Sequence, residues 1–206
     1  VAKLAGETVD VASAEGIEPS GAAGVLDALA ASAVALTQGA TPVHIQRALA
    51  SYRVRGHRGA VVHSGGGVDW VDNSKATNPH AAHSALLGAG PVVWVAGGQL
   101  KGASVDAVVQ AHAEQFRAVA LLGADRELIR ESVRRAAPDL PVFVTDSTDP
   151  EEAMDAVVAW AATQAQPGDT VLLAPAAASL DMFSGMSARG DAFAAAAMRH
   201  WCPDNK

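Results

Sequence analysis

Apolar and polar positions change rhythm once along the chain. Residues 22–36 are Ala-rich and almost uniformly apolar, ending near Gly39. Alanine costs little to order in a helix, so this stretch predicts a buried helix. Thr41-Pro42 supplies a cap followed by proline at a first helical position. Val43, Ile45, Leu49 and Tyr52 give this second helix its apolar positions, and it runs out near Arg55-Gly56. Residues 1–20 hold no sustained period and predict irregular chain or a short strand and loop.

Beyond Gly56 short apolar runs alternate with helical patterns. Runs at 60–63 and 68–71 flank Gly65-Gly66-Gly67 and predict two short strands around a glycine turn. Asn78-Pro79 caps a helix reaching about 87, and the run at 91–96 (with Val-Val-Trp-Val inside it) predicts a strand. Ser104 can cap a helix over 105–116; 118–122 is a buried run; 125–137 is a charged helix; 141–145 is a strand. Pro150 opens a helix to about 164, a strand at 171–174 follows Pro167-Gly168, and an Ala-rich helix over 188–200 closes the pattern. This alternation predicts an α/β fold with a mainly parallel sheet, beginning near Gly56.

Composition narrows the picture. The 206 residues suffice for one medium domain, or one domain plus a fragment. Half the residues are hydrophobic but only 4% are aromatic, so the core must be built from Ala, Val and Leu. A formal net charge of −7 argues against non-specific nucleic-acid or anionic-membrane binding. The single cysteine, Cys202, permits no internal disulfide and no cysteine-cluster metal site, which fits a reducing cytoplasm. No stretch is apolar for long enough to span a bilayer, and no signal-peptide pattern opens the chain, so neither membrane insertion nor secretion is expected. The seven histidines are scattered without ligand spacing. His80 and His83 share one helical face, but no metal site is predicted from them.

In open α/β sheets ligands bind beyond the carboxyl ends of the strands. Three loops fall there: Asp72-Asn73-Ser74-Lys75-Ala76-Thr77-Asn78, Gly97-Gly98-Gln99-Leu100-Lys101-Gly102 and Pro175-Ala176-Ala177-Ala178-Ser179-Leu180-Asp181. Each delivers a lysine or hydroxyls to one edge. Lys75 and Lys101 are compact cations suited to a phosphate or carboxylate, and Thr77 and Ser179 are neutral donors. The helix opening at Pro79 adds the positive end of its dipole. Taken singly, each has a plainer reading as a solvated charge, a cap or a turn former. The Gly97-Gly98 pair lacks the remaining spacing of a dinucleotide-binding loop.

The ordered set is more specific than its parts. Gly56-His57-Arg58, Asn73-Ser74-Lys75-Ala76-Thr77-Asn78, Gly97-Gly98-Gln99-Leu100-Lys101-Gly102, the segment from Ala174-Pro175 through Ser179-Leu180-Asp181, and Arg189-Gly190 resemble the Mur ligase family of peptidoglycan synthesis, in its D-glutamate-adding branch. The run Gly24-Val25-Leu26-Asp27-Ala28-Leu29-Ala30-Ala31 looks like the actinobacterial form of a central-domain helix. The Asp-Asn-Pro-Arg-type motif of diamino-acid-adding relatives is absent. The resemblance implies an ATP-dependent ligase, using Mg2+, that joins D-glutamate to UDP-N-acetylmuramoyl-L-alanine through an acyl phosphate, in the cytoplasm. It further implies that 1–55 is the end of a central ATP-binding domain and 56–206 the Rossmann-like C-terminal ligase domain. No Gly-x-x-x-x-Gly-Lys-Ser/Thr loop occurs, so this chain alone is expected to be inactive, with nucleotide and Mg2+ held mainly by a domain outside it.

Residue by residue, the resemblance likens Lys75 to the lysine at the acyl-phosphate end. Lys101, Thr77 and Ser179 match D-glutamate-binding positions, with Leu180 and Met186 in the substrate pocket. His57, Arg58 and Asn73 match nucleotide-side positions. Three residues depart from the family pattern: Asn73 stands where Asp is usual, Ala60 where Glu is, and Met186 where an aromatic is frequent. Those departures keep a second reading open, a non-catalytic binding module on the ligase fold. A third is a generic Rossmann-like nucleotide binder.

Overall fold

The computed structural model describes residues 2–4, 7–18, 22–54 and 56–201; Arg55, Cys202 and residues 19–21 lie outside the described residues. The chain divides into two compact units, Val1–Arg55 and Gly56–Lys206.

In the first unit β1 (Ala2–Leu4) and β2 (Glu7–Val9) form an antiparallel pair, followed by α1 (Ala22–Thr37) and α2 (Pro42–Ser51). The Thr41 hydroxyl accepts from His44 N while the His44 ring accepts from Thr41 N, a capping box that starts α2 at Pro42. One expectation fails here. The helix expected to be buried leaves Leu26, Leu29 and Val34 at 62%, 48% and 65% exposure. A helix apolar all round needs cover all round, and within this unit α1 has it on one side only, where Ala28 and Ser32 are buried.

The second unit is a six-stranded sheet in the order β3-β4-β8-β5-β6-β7. The strands are β3 (Ala60–Gly65), β4 (Val68–Asp72), β5 (Val92–Gly97), β6 (Phe116–Leu122), β7 (Val142–Val144) and β8 (Thr170–Leu173). Only β3 runs antiparallel to its neighbour; every other pairing is parallel. The predicted α/β fold with a mainly parallel sheet is the observed one.

Helices cover both faces, and alternation along β5 sorts the two cores. Val93 and Val95 join Trp70, Met154, Val158 and Phe193 under α6 (Pro150–Gln164) and α7 (Met186–His200). Val92, Trp94 and Ala96 join Leu86, Val109 and Ile129 under α3 (Pro79–Leu86), α4 (Asp106–His112) and α5 (Arg126–Ala136). Burial on both faces is why these strands read as unbroken apolar runs.

The helix expected over 105–116 is shorter. After α4 comes one 3-10 turn, Ala113–Gln115, and Phe116 opens β6 instead. Phe116 stacks on Trp94 with ring centroids 5.1 Å apart. The Gln115 amide reaches back to the Leu86 and Ala89 carbonyls at 3.0 and 2.5 Å. Tertiary packing thus overrides the local helical pattern. The last helix begins at Met186, two residues before the expected 188.

Candidate active site at the carboxyl edge of the sheet

Four loops leave the carboxyl ends of β4, β5, β6 and β8 side by side, and hydrogen bonds stitch them together. In the first, Asp72 is buried; it accepts from His57 Nδ1 at 2.6 Å and from Ser74 N at 2.9 Å. Lys75 N donates to the His57 carbonyl at 3.0 Å. Asn73 N donates to the Leu173 carbonyl at 2.8 Å, fixing this loop to β8. The Lys75 side chain is exposed and Thr77 is half-buried. Asn78 caps α3 by accepting from Ala81 N at 2.9 Å, with Pro79 at the first helical position.

The second loop depends on backbone crowding. Gly97 and Gly98 have φ of 126° and 128°, and an added Cβ would lie 1.8 Å from the Leu122 carbonyl oxygen and 2.1 Å from that of Ala178. No side chain fits there, so glycine is obligatory. Gln99 and Ala178 exchange two backbone bonds of 2.9 Å, joining the second loop to the third. Lys101 follows, exposed and left-handed at φ 55°.

In the third loop Ser179 is buried while Leu180 is 67% exposed. The Asp181 carboxylate accepts from Ala124 N, in the loop after β6, at 2.7 Å. The three described non-glycine residues with positive φ, His57, Lys101 and Ala176, all sit at this edge. Such conformations cost roughly 1–2 kcal/mol each and cluster where function fixes them.

Arg189 holds the assembly from beneath. It is 1% exposed; Nε donates to Ser74 Oγ at 3.0 Å and Nη2 to the Ser74 carbonyl at 2.9 Å. Nη1 donates to the carbonyls of Gly97 and Ala177 at 3.2 and 3.1 Å. One guanidinium thus ties three loops. Burial pushes it down to about 10, opposed by the nearby Asp181 and Asp72 carboxylates, so it stays charged at neutral pH. The next residue, Gly190, makes room for the first loop. A Cβ there would lie 2.1 Å from His57 Nδ1 and 2.4 Å from Asp72 Oδ2.

The residues singled out from the sequence meet at this edge, in different states. Lys75, Lys101, Arg58 and Leu180 are exposed; Asn73, Thr77, His57 and Met186 are half-buried; Ser179 is buried. Met186 takes part through its carbonyl, which accepts from Ser74 Oγ at 2.7 Å. Neither lysine side chain has a hydrogen-bond or ion-pair partner among the described residues. Asn73 removes a carboxylate from the loop, but Asp72, one residue earlier, carries one that grips His57. Asp72, Arg189, Asp125 and Asp181 were given no role by the sequence. Arg189-Gly190 did stand in the motif set, but beyond Ala177 the contacts of Arg189 run 92 to 115 residues back along the chain, to Gly97 and Ser74.

His83 does not pair with His80. Its Nδ1 lies 2.9 Å from His112 Nε2, toward the opposite edge of the sheet. Among the described residues no group of three or more His, Cys, Asp or Glu side chains could hold a metal ion.

The sequence profile described as "Mur ligase, glutamate ligase domain" matches residues 57–177. The chain is 55% identical over 195 residues to a UDP-N-acetylmuramoylalanine--D-glutamate ligase of Corynebacterium diphtheriae, covering 95% of this chain and 41% of that protein. It is 57% identical over 188 residues to the ligase of the same name from Corynebacterium jeikeium, covering 91% and 38%. The chain therefore spans about two fifths of the length of these relatives. Among solved structures, UDP-N-acetylmuramate-alanine ligase (MurC) of Thermotoga maritima superposes with a TM-score of 0.63 at 14% identity, over 89% of this chain and 39% of that one. MurF of Acinetobacter baumannii superposes at 0.55 with 19% identity, over 87% and 38%. At such identities the two structures speak for the fold alone. The family profile spans more than half of the sequence, and the chain belongs to the Mur ligase family.

Proposed function

We propose that this chain is the amino-acid-binding part of an ATP-dependent ligase that joins D-glutamate to UDP-N-acetylmuramoyl-L-alanine in cytoplasmic peptidoglycan synthesis. Residues 56–206 act as its C-terminal domain and 1–55 as the end of its central ATP-binding domain. The observation that carries this reading is the pair of partnerless lysines, Lys75 and Lys101, on rigidly tied loops at one sheet edge.

In this reading a carboxylate oxygen of the UDP-linked substrate attacks the terminal phosphorus of ATP, and ADP leaves. The amine nitrogen of D-glutamate then attacks the acyl carbon, phosphate leaves, and the nitrogen loses a proton. Lys75 offsets negative charge on the acyl phosphate. Lys101 pairs with a D-glutamate carboxylate, and the Thr77 and Ser179 hydroxyls donate to it. Leu180 and Met186 border the pocket, while His57, Arg58 and Asn73 face the nucleotide. The two cations and the neutral donors suit anionic partners. No group of three or more His, Cys, Asp or Glu side chains among the described residues could hold Mg2+; Asp72 is engaged by His57 and Ser74, and Asp181 Oδ2 by Ala124. In this reading Mg2+ is held mainly by the central ATP-binding domain.

The test uses the full-length protein containing this chain. Phosphate release should require ATP, the UDP-linked substrate and D-glutamate together, and the 206-residue chain alone should form no product. Turnover with another amino acid in place of D-glutamate would overturn the substrate assignment. Specific binding of the substrates without turnover would favour the non-catalytic module.

A further inference from the structure

We propose that Asp125 is a positioning residue that sets the Lys101 loop for the carboxylate of the incoming amino acid. This rests on the D-glutamate reading above.

Asp125 stands at the N-cap of α5, where an aspartate ordinarily bonds to the helix's own amides. Asn78 and Asp149 do so for α3 and α6. Asp125 makes no side-chain cap bond. Its Oδ2 turns away and accepts from Leu100 N at 2.7 Å, 25 residues back in the chain. Its own N–H donates to the Gly98 carbonyl at 3.0 Å. Asp125 therefore grips the residues on both sides of Gln99, which is itself bonded twice to Ala178.

The turn carrying Asp125 is held just as closely. Asp181 accepts from Ala124 N at 2.7 Å. Gly123 is left-handed at φ 87°, and a Cβ on it would lie 2.4 Å from Gly98 N and 2.8 Å from Asp181 Oδ2. The turn is thus wedged between the loop of Lys101 and the loop of Ser179.

Leu100 is the last pinned residue before Lys101, whose φ of 55° precedes Gly102 at 81°. With the Leu100 amide fixed, the left-handed step at Lys101 sets the direction in which its side chain leaves the backbone, and the side chain is exposed and unpartnered among the described residues. A carboxylate that gives up a local cap for a distant amide breaks a local rule at a site edge, where such breaks serve function. The bond belongs to the loop that binds the amino acid, so its loss should be felt by that substrate and not by the nucleotide.

The experiment compares Asp125→Ala, Asp125→Asn and Asp125→Ser in the full-length ligase, with Lys101→Ala as reference. Asn keeps an acceptor for Leu100 N. Ser can cap α5 but is too short to reach that amide, so it separates loop positioning from helix capping and stands in if the Ala variant folds poorly. Asp125→Ala and Asp125→Ser should raise KM for D-glutamate about tenfold, the worth of one hydrogen bond to a charged group. KM for ATP and for the UDP-linked substrate should stay within about twofold, and Asp125→Asn should restore most of the loss. Equal damage in the Asn variant, a parallel rise in all three KM values, or an unchanged D-glutamate KM while Lys101→Ala is impaired would overturn the inference. A parent enzyme with no D-glutamate-dependent phosphate release would instead bring down the functional reading and this inference with it.

Discussion

The two edges of the same sheet treat their polar groups in opposite ways. At the amino edge they satisfy one another. Arg117 binds the buried Asp169 through two nitrogens, Nη2 at 2.9 Å, and Asp169 also accepts from Gln166 N at 2.8 Å. His112 bonds Gln115 at 2.8 Å, and the Gln115 amide closes the carbonyls at the end of α3. At the carboxyl edge, the His57–Asp72 and Arg189–Ser74 side-chain bonds apart, the partnership goes to backbone. Arg189, Asp125 and Asp181 are spent on loop amides and carbonyls, and the three described non-glycine residues with positive φ lie there. The lysines Lys75 and Lys101 and the guanidinium of Arg58 are left exposed. A group satisfied within the fold contributes to stability; a group held rigidly without a partner is available to a ligand.

That contrast is open to test, beginning with the largest effect. Lys75→Ala in the full-length ligase should lower kcat by up to about 10³-fold, the scale for losing one group that meets developing charge. An exposed side chain contributes little to folding, so stability should move by less than about 0.5 kcal/mol. Steady-state rates and urea unfolding on the same preparation decide it. A stability loss matching the activity loss would erase the difference between the edges.

The amino edge should give the reverse. Arg117→Ala strands the Asp169 carboxylate, which is 2% exposed. Arg117 itself is 32% exposed and Asp169 keeps the Gln166 amide, so removing this partner of a buried carboxylate should cost about 1–3 kcal/mol. In the parent protein the hydrogen bond to Asp169 holds the Arg117 guanidinium above its usual value, which is the interaction the substitution removes. Urea unfolding should show the loss, while kcat per folded molecule stays unchanged. A fall in kcat would mean that the amino edge is wired to the site.

Much of this architecture is legible in the sequence, because the strands are buried on both faces and the helices carry local start signals. Asn78-Pro79 and Asp149-Pro150 mark their helices to the residue. What fails has a common cause, which is partners remote in sequence. Phe116 reads as helix until Trp94 stacks on it. Asp125 reads as an ordinary helix start until Leu100 N is seen to take its carboxylate. The motif set marks the loop residues as chemistry but does not reveal the groups that hold them. Asn73 stands out in the sequence as a missing acid, while the acid that shapes the loop is its neighbour Asp72. Helix α1 is the remaining case: its apolar run predicts burial, but its unit is too small to cover it on every side, and Leu26 and Leu29 stay exposed.

A smaller effect separates holding from acting within the carboxyl edge. Asn78 accepts from Ala81 N at 2.9 Å and follows Thr77 directly. Asn78→Ala should cost about 1 kcal/mol of stability through the lost cap, and Asn78→Asp, which caps equally well, should restore it. If both variants bind D-glutamate as the parent does, the cap is structural and the edge's function lies in the exposed groups alone. A KM rise in the Ala variant that Asp reverses would place Asn78 beside Asp125 as a loop-setting residue.

The smallest effect calibrates what an exposed ion pair is worth in this fold. Asp155 on α6 accepts from Arg199 on α7, Nε at 3.1 Å and Nη2 at 2.7 Å, and His200 Nε2 lies 2.8 Å from the same oxygen. The Arg199 hydrogen bond, then that of His200, holds this carboxyl below its ordinary 3.8. A carboxyl depressed on folding adds stability above its unfolded value and loses it as pH falls through the folded one. Its contribution should therefore be constant from neutral pH down to about 4 and disappear below 3.8. The carboxylate is 39% exposed and Arg199 55%, so solvent screening limits the pair to about 0.5 kcal/mol. The readout is the stability difference between parent and Asp155→Asn, taken by urea unfolding across that range, so that every contribution the two proteins share cancels. A gap that persists at pH 2.5, or one far above 1 kcal/mol at neutral pH, would mean that the pair acts through packing between α6 and α7 rather than through charge. The Arg117–Asp169 pair would then no longer differ in kind from an exposed one.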